Sequence, residues 1–395
     1  MLQTHAATPA ATFGDPLITA VHRALGEMQG LRPLALSGRD GVRYVLAIDD
    51  LDDAKIAAFL EDYCEGTALL VLSAVRAKAM GLGAGDGNGD RAGSKTGDGA
   101  VMTPVCPQRL AVGGHARLME LATAISPRDV PVFTPAGEAA AAAVELAKLA
   151  QRLPACLISS PVTRSSDDET VMTVKTRDVE AFRARLAATY NQVSEARVPI
   201  ADGIDTRFAI FRNAIGGIAT AILVGDPKAA YASGEKPVPV RVHSSCATGD
   251  IFGSRRCDCG EQLQLALHRL RALGGGCLIY LDQEGRGLGL ANKMHAYALQ
   301  DRGLDTVDAN KMLGFHDDER DYHAAGFMLK RLGFERINLL TNNPTKLHGL
   351  ATAGIEIVER MPVVAPANAE NMRYLTTKAK RSGHLLDDAG LLESL

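Results

Sequence analysis

The sequence predicts an α/β (α+β) protein of two domains. Its 395 residues exceed one ordinary hydrophobic core. The composition breaks at residues 81–100, GLGAGDGNGDRAGSKTGDGA, where almost nothing can be buried. From residue 260 onward, short apolar runs alternate with amphipathic ones, as strands alternate with helices. Hydrophobic residues make up 46% of the chain and charged residues 23%, with mean hydropathy near zero, enough apolar material for two cores.

Taken in order, residues 1–15 read as a flexible N-terminus and residues 16–190 as an N-terminal α/β domain. Within that domain, periodicity predicts a helix over Ile18–Met28, a strand over Arg43–Ile48, a helix over Asp53–Tyr63 and a strand over Ala68–Leu72. Residues 81–103 read as a flexible Gly/Asp-rich loop; without a G-x-x-x-x-G-K-[ST] pattern, its glycines do not make a phosphate loop. The Ala-rich stretch Glu138–Ala150 is a strong helix former, Ala155–Ile158 a strand, and Val179–Tyr190 a closing helix.

The second domain spans residues 191–386, with a mixed sheet and helices, and residues 387–395 form a tail. Strand-like Val193–Pro199 opens it. Glu261–Leu273 is a helix halted by Gly274-Gly275-Gly276, followed by strand Leu278–Leu281 and a helix over Ala291–Gln300. Tyr322–Leu332 is helical with Gly333 closing it, Ile337–Leu340 is a strand, Pro344 opens a helix after Asn343, and Ile355–Glu359 is a last strand.

Composition narrows the function. A formal net charge of −3 gives no global basic field, so nucleic acid is not the expected partner. The start, MLQTHAATPAATFGDP, lacks a basic region followed by an apolar core, and no run of about eighteen apolar residues occurs, so no membrane role and a cytoplasmic location are expected. Seven cysteines argue against a disulfide framework. Cys64, Cys106, Cys156 and Cys277 stand singly in apolar surroundings and read as buried small hydrophobes.

The other three cysteines lie in CATGDIFGSRRCDC, Cys246 to Cys259. In an extended segment the thiols of Cys257 and Cys259 project to one side, and Cys246 can return through Gly249 and Gly253. Arg255 and Arg256 would favour thiolates. A redox pair usually shows C-x-x-C, which is absent; a metal site and three unpaired thiols stay open. Three protein ligands leave a position for water or substrate, the pattern of catalytic zinc, unless His243 is a fourth ligand. Zinc acidifies water enough for attack on an electrophilic carbon.

Downstream, YLDQEGRGLGLANK places Glu284 and Arg286 on a glycine-rich turn after a strand, fit either to meet an N–H group and a phosphate or to form a solvated ion pair. HDDERDYH, His316–His323, is either a solvated charge run or a carboxylate set beside an arginine for proton transfer next to a phosphate. LLTNNPTK ends a strand before a helix start that can receive an anion, with Lys346 adding charge.

These segments, with RVHSSCATGDIFGSRRCDCGEQL, AYALQDRGLDTVDAN and LGFHDDERDY, resemble GTP cyclohydrolase II from about residue 193 to 386. The resemblance implies zinc on Cys246, Cys257 and Cys259, and opening of the guanine imidazole ring at C8 with loss of formate and pyrophosphate. It further implies magnesium on the triphosphate and a homodimer in riboflavin synthesis. It makes Asp318 the proton acceptor and Arg320 the group at the α-phosphate, with Tyr297 near the base. GTP contacts would fall on Arg241, Val242, His243, Ser244, Ser245, Gln262, Glu284, Gly285, Arg286, Thr306, Thr341 and Lys346. The family description casts Arg320 as a nucleophile, but a guanidinium with a pKa above about 12 suits electrostatic stabilisation. Family members mostly read HSEC where this chain has Ser245, a departure that bears on the product: a formyl group could be retained, or the chain could bind nucleotide without catalysis. More faintly, GEAAAAAVELAKLAQRLPACLI resembles a helix of dihydroxybutanone phosphate synthase. Ala139-Ala140-Ala141 stand in place of its His-Thr-Glu, and Ser37–Gly41 replace its acidic metal-binding run. An inactive N-terminal domain, structural or regulatory, is expected.

Overall fold

A computed structural model describes residues 14–82, 99–105, 114–162, 171–231 and 233–363, with 365, 371, 372, 377, 381 and 383. Chain packing divides the protein into two units. The first contains residues up to Phe182 together with Ala291–Leu304 and Asp308–Asp317; the second contains Arg183–Leu290, Asp305–Val307 and the chain from Asp318 on.

The first unit is built on strands β1 (Leu34–Gly38), β2 (Gly41–Ala47), β3 (Ala68–Ser73), β4 (Ala100–Val105), β5 (Thr134–Pro135), β6 (Ala155–Ile158) and β7 (Thr173–Lys175), in the order β5-β4-β3-β6-β2-β1-β7. Every pairing is antiparallel except β1 with β7. Its first helix begins at Pro16 behind the cap Asp15, and helix Asp53–Tyr63 begins behind Asp52, whose Oδ1 accepts from Lys55 N at 2.7 Å. Helix Glu138–Leu149 matches expectation.

Three expectations shift. Residues 100–103 are strand, not loop, because β4 pairs with β3 from Ser73↔Ala100 to Ala68↔Val105. Most of the glycine-rich segment, residues 83–98, lies outside the described residues, as do Cys106, residues 1–13 and the tail 387–395. The closing helix runs Thr176–Ala187 rather than Val179–Tyr190, since Asn191 already belongs to the next sheet.

The second unit carries β8 (Asn191–Arg197), β9 (Thr206–Arg212), β10 (Ile218–Val224), β11 (Val238–Ser244), β12 (Gly276–Leu281), β13 (Arg336–Leu340) and β14 (Glu356–Met361), ordered β14-β13-β11-β12-β10-β9-β8. β11 to β14 are mutually parallel where they pair, while β8, β9 and β10 form an antiparallel meander joined to β12. Alternation along β12 divides the apolar residues between two faces. Cys277, Ile279 and Leu281 pack with Met328, Leu329 and Leu350 on one side, and Leu278 packs with Ala266, Leu267 and Leu270 of helix Cys259–Ala272 on the other. Gly333 closes helix His323–Leu332 at φ 80, as its position predicts. Because β11, β12 and β13 run parallel, their carboxyl ends open on one edge, where ligands bind in open α/β sheets. Among the described residues, no helix is long and apolar enough to cross a membrane.

Phe211 on β9 is fully buried in the first of these cores. Phe211→Ala should lower unfolding free energy by about 3–5 kcal/mol, read from the urea midpoint, while leaving the slope unchanged.

Candidate functional site

Cys246 follows β11 and caps the short helix Ala247–Asp250; Cys257 lies just after a turn at residues 255–256; Cys259 is the first residue of helix Cys259–Ala272. The segment is therefore not extended, as alternation suggested, yet the three thiols meet within 4.8 Å of one another, with Cys246 Sγ 3.7 Å from Cys257 Sγ. Tetrahedral zinc with bonds of about 2.3 Å holds its sulfurs roughly 3.8 Å apart, so the trio fits that ion. Gly249 shapes the cradle: a Cβ there would lie 3.0 Å from Cys257 Sγ and 3.1 Å from Cys246 Sγ. The Cys246 hydrogen bond, ahead of burial, pushes the Cys257 thiol up to about 11, which a bound cation would reverse. The leading causes of this value are the neighbouring cysteines and burial.

His243 is not part of this trio. Its Nε2 meets Asp250 Oδ1 at 3.2 Å, its ring stacks on Tyr280 at 5.6 Å, and burial lowers its pKa against the pull of Asp250. Asp250, which sequence reading passed over, also accepts from Tyr280 Oη at 2.8 Å and Cys246 N at 3.0 Å. It thereby fixes the first thiol's backbone. The buried Glu284 does the same one residue on, its Oε2 accepting from Ala247 N at 2.6 Å.

Beside the thiols stands a set of cations. Arg241 is buried on β11, donating to Leu340 O at 2.9 Å and Gln262 Oε1 at 2.6 Å, while Gln262 Nε2 donates to Asp258 Oδ2. Burial lowers Arg241 to about 10 despite Asp258 and Cys259, so it stays charged at neutral pH. Lys346 Nζ donates to Val242 O at 2.7 Å and lies 5.9 Å from the Tyr322 ring; Arg320 lies 5.8 Å from the same ring. Arg241 and Arg286 act electrostatically on the Tyr322 hydroxyl, which is buried without a hydrogen-bond partner, as is Arg241 Nε. Buried unsatisfied groups among four cations suit an incoming anion's oxygens.

HDDERDYH is not a solvated face. Asp318 grips Arg320 with two oxygens, Oδ1 to Nε at 2.7 Å and Oδ2 to Nη2 at 2.6 Å. Burial would raise the Asp318 pKa, but Arg320 and then Arg286 outweigh it and hold the carboxyl at about 2. The Glu284–Gly287 turn holds successive residues left-handed, Gly285 at φ 63 and Arg286 at φ 62, and Arg286 O accepts from Glu319 N at 3.0 Å. Ser244 Oγ reaches Gln283 Oε1 at 3.4 Å; Ser245 Oγ accepts from Gln283 N at 3.2 Å and donates to Asp282 Oδ1 at 3.3 Å. Thr341 Oγ1 accepts from Asn343 N, and Asn343 caps helix Pro344–Thr352 through Thr345 N.

Tyr297 belongs to the first unit, on helix Leu290–Asp301, its ring 5.7 Å from Lys293 Nζ. Thr306 opens helix Thr306–Met312 and makes no hydrogen bond to the cluster among the described residues. In the N-terminal unit, Ala139 and Ala140 are buried, and Glu138 is taken up by Arg39, through its backbone N at 2.5 Å and its Nε at 3.0 Å. Cys64, Cys156 and Cys277 are buried as expected, and burial pushes Cys64 up to about 12.

Asp250→Ala should weaken zinc affinity about 10–100-fold in competition with a chromophoric chelator, the effect of losing a group that orients a ligand. Asp318 is more acidic folded than its ordinary 3.8, so its stabilising contribution is complete above that value and is lost as pH falls toward 2. Asp318→Asn should therefore lose on the order of 2 kcal/mol at neutral pH and show a flatter stability profile between about pH 4 and 2, measured by urea unfolding at each pH.

Comparison with known proteins adds sequence kinship. The family model for GTP cyclohydrolase II matches residues 191–362. GTP cyclohydrolase-2 of Xylella fastidiosa (strain 9a5c) is 39% identical over 388 residues, covering 96% of this chain and 90% of that protein. GTP cyclohydrolase-2 of Azospirillum brasilense is 46% identical over 256 residues, 63% of this chain and 65% of that protein, so the match spans just under two thirds of the latter's length. A solved two-domain 3,4-dihydroxy-2-butanone 4-phosphate synthase from A. baumannii covers 88% of this chain and 99% of its own, at 16% identity and a TM-score of 0.31. The near full-length kinship with the Xylella protein and the matched 191–362 segment, which contains the thiol trio and the cation cluster, make this chain a member of the GTP cyclohydrolase II family of hydrolases.

Proposed function

We propose that the chain is a zinc-dependent GTP cyclohydrolase II of riboflavin biosynthesis, converting GTP to 2,5-diamino-6-ribosylamino-4(3H)-pyrimidinone 5′-phosphate, formate and pyrophosphate. One observation carries the reading: a thiol trio fit for zinc and a cluster of Arg241, Arg286, Arg320 and Lys346 share the carboxyl ends of β11, β12 and β13. On this reading magnesium accompanies the triphosphate, the enzyme is a cytoplasmic homodimer, and neither nucleic acid nor membrane takes part.

Cys246, Cys257 and Cys259 would hold the zinc, which would supply a Lewis acid able to activate water near neutral pH. The chain's own residues do the rest. Arg241, Arg286 and Lys346 receive phosphate oxygens, with the Tyr322 hydroxyl as a further donor. Asp318, at a pKa of about 2, is a weak base while it grips Arg320. A phosphate that draws the guanidinium away removes the charge that keeps the carboxyl acidic, so Asp318 becomes basic only once substrate is seated. Arg320 then stabilises developing phosphate charge. Ser245 brings no carboxylate, but its hydroxyl stands 3.3 Å from Asp282, which sets one beside that position.

The test is release of formate and pyrophosphate from GTP by the purified protein, with and without a zinc chelator, beside Cys257→Ser. Both products should appear and fall at least about 100-fold on chelation or substitution. Pyrophosphate without formate would mean a formyl-retaining product, and neither product with zinc bound would mean a nucleotide-binding protein without catalysis.

A further inference from the structure

Arg76 heads the fully buried side chains by volume, at 1% exposure, and makes no ion pair among the described residues. It is spent on main-chain oxygens. Nε donates to Leu121 O at 2.9 Å and Nη2 to Ala124 O at 2.7 Å, at the end of helix Gly114–Thr123; Nη1 donates to Met312 O at 2.9 Å, the last residue of helix Thr306–Met312. Helix C-termini favour a cation, so this guanidinium closes two of them. Burial lowers it to about 10, which leaves it charged. Beside it Ser73, also fully buried, accepts from Arg76 N at 3.1 Å and donates through Oγ to Gly314 O at 2.6 Å. Gly314 sits at φ +87 with no room for a side chain: a Cβ would lie 2.8 Å from Ser73 Oγ and 2.8 Å from Pro154 Cγ.

The gripped segment is the approach to the Asp318–Arg320 pair. Leu313 and Phe315 are buried, Phe315 N donates to Asn310 O at 3.0 Å, and Asn310 Nδ2 reaches Asp317 O at 3.4 Å. The chain then passes directly into Asp318. A clamp serving only its own neighbourhood needs Leu121 and Ala124; this one also takes Met312 and Gly314.

We propose that Ser73 and Arg76 are positioning residues for Asp318 and Arg320, holding the carbonyls of Met312 and Gly314 so that the pair enters its segment from a fixed point. This rests on the reading that the pair serves GTP hydrolysis, and it gives an N-terminal unit without the synthase's His-Thr-Glu a part in the chemistry.

The experiment uses the full zinc-loaded chain and three variants: Ser73→Ala, Gly314→Ala and, as a control, Ser159→Ala, which removes a buried hydroxyl that accepts from Tyr44 N in the same unit. Backbone hydrogen exchange is followed by mass spectrometry alongside kcat per bound zinc and KM for GTP. In Ser73→Ala and Gly314→Ala, peptides covering residues 315–323 should exchange about 10-fold faster than in the wild type, with peptides covering 246–259 unchanged. Their kcat per zinc should fall about 10-fold with KM within about 2-fold, while Ser159→Ala alters neither. Exchange over 315–323 equal to that of Ser159→Ala would overturn the clamp, and faster exchange with unaltered kcat would overturn its part in the reaction. A wild type that leaves GTP intact would refute the cyclohydrolase reading instead, and the exchange data would still decide whether the clamp holds the segment.

Discussion

One turn at the end of β12 holds the two halves of the site together. Glu284 accepts from Ala247 N, next to the first thiol, and two residues later Arg286 O accepts from Glu319 N, between Asp318 and Arg320. The thiol trio and the acid-arginine pair thus hang from the same four residues. Gly287 leaves no space for a side chain, since a Cβ would lie 3.1 Å from the Glu319 carbonyl carbon. Arginine at φ 62 costs about 1–2 kcal/mol over the ordinary backbone, a strain of the kind found where a side chain must be aimed.

The buried cations are held in an uneven way that suits their use. Arg241 and Lys346 lean on carbonyls and an amide, Leu340 O, Val242 O and Gln262, which orient them without cancelling their charge. Arg320 is gripped by the Asp318 carboxylate, so it must be released for an anion to use it in full. Desolvated cations with neutral partners keep a strong field, and an anion entering among them needs little reorganisation of the protein.

Local signals in the sequence were legible where chemistry is local. Asn343 before Pro344 caps its helix, Gly333 ends its helix left-handed, and the Ala-rich stretch is helical. The cysteine spacing likewise named the trio, although its geometry came from a helix start at Cys259 rather than from strand alternation. Asp250 was missed because Tyr280, 30 positions on, reaches it only through the parallel pairing of β11 with β12, which sets His243 opposite Tyr280. Arg76 was missed for the same reason: its acceptors stand 45 to 236 positions away in the chain. Periodicity also cannot say which core a helix joins, and residues 291–304 and 308–317 pack with the first unit although they follow most of the second in sequence.

That discontinuity bears on the order of events during synthesis. The strands of the first sheet have all been made by Lys175, but Arg76 and Ser73 lack Met312 and Gly314 as partners until the chain has grown past residue 314. A guanidinium destined for complete burial thus has only Leu121 O and Ala124 O among its main-chain acceptors while the ribosome is still making β8 to β12. The N-terminal half is thus the first part to be translated, yet its core waits on residues made after most of the second unit. Cutting the gene between the two sheets would leave the first product without residues 291–304 and 308–317 and the second carrying them apart from the core they pack with, although each sheet is continuous within its own half of the sequence.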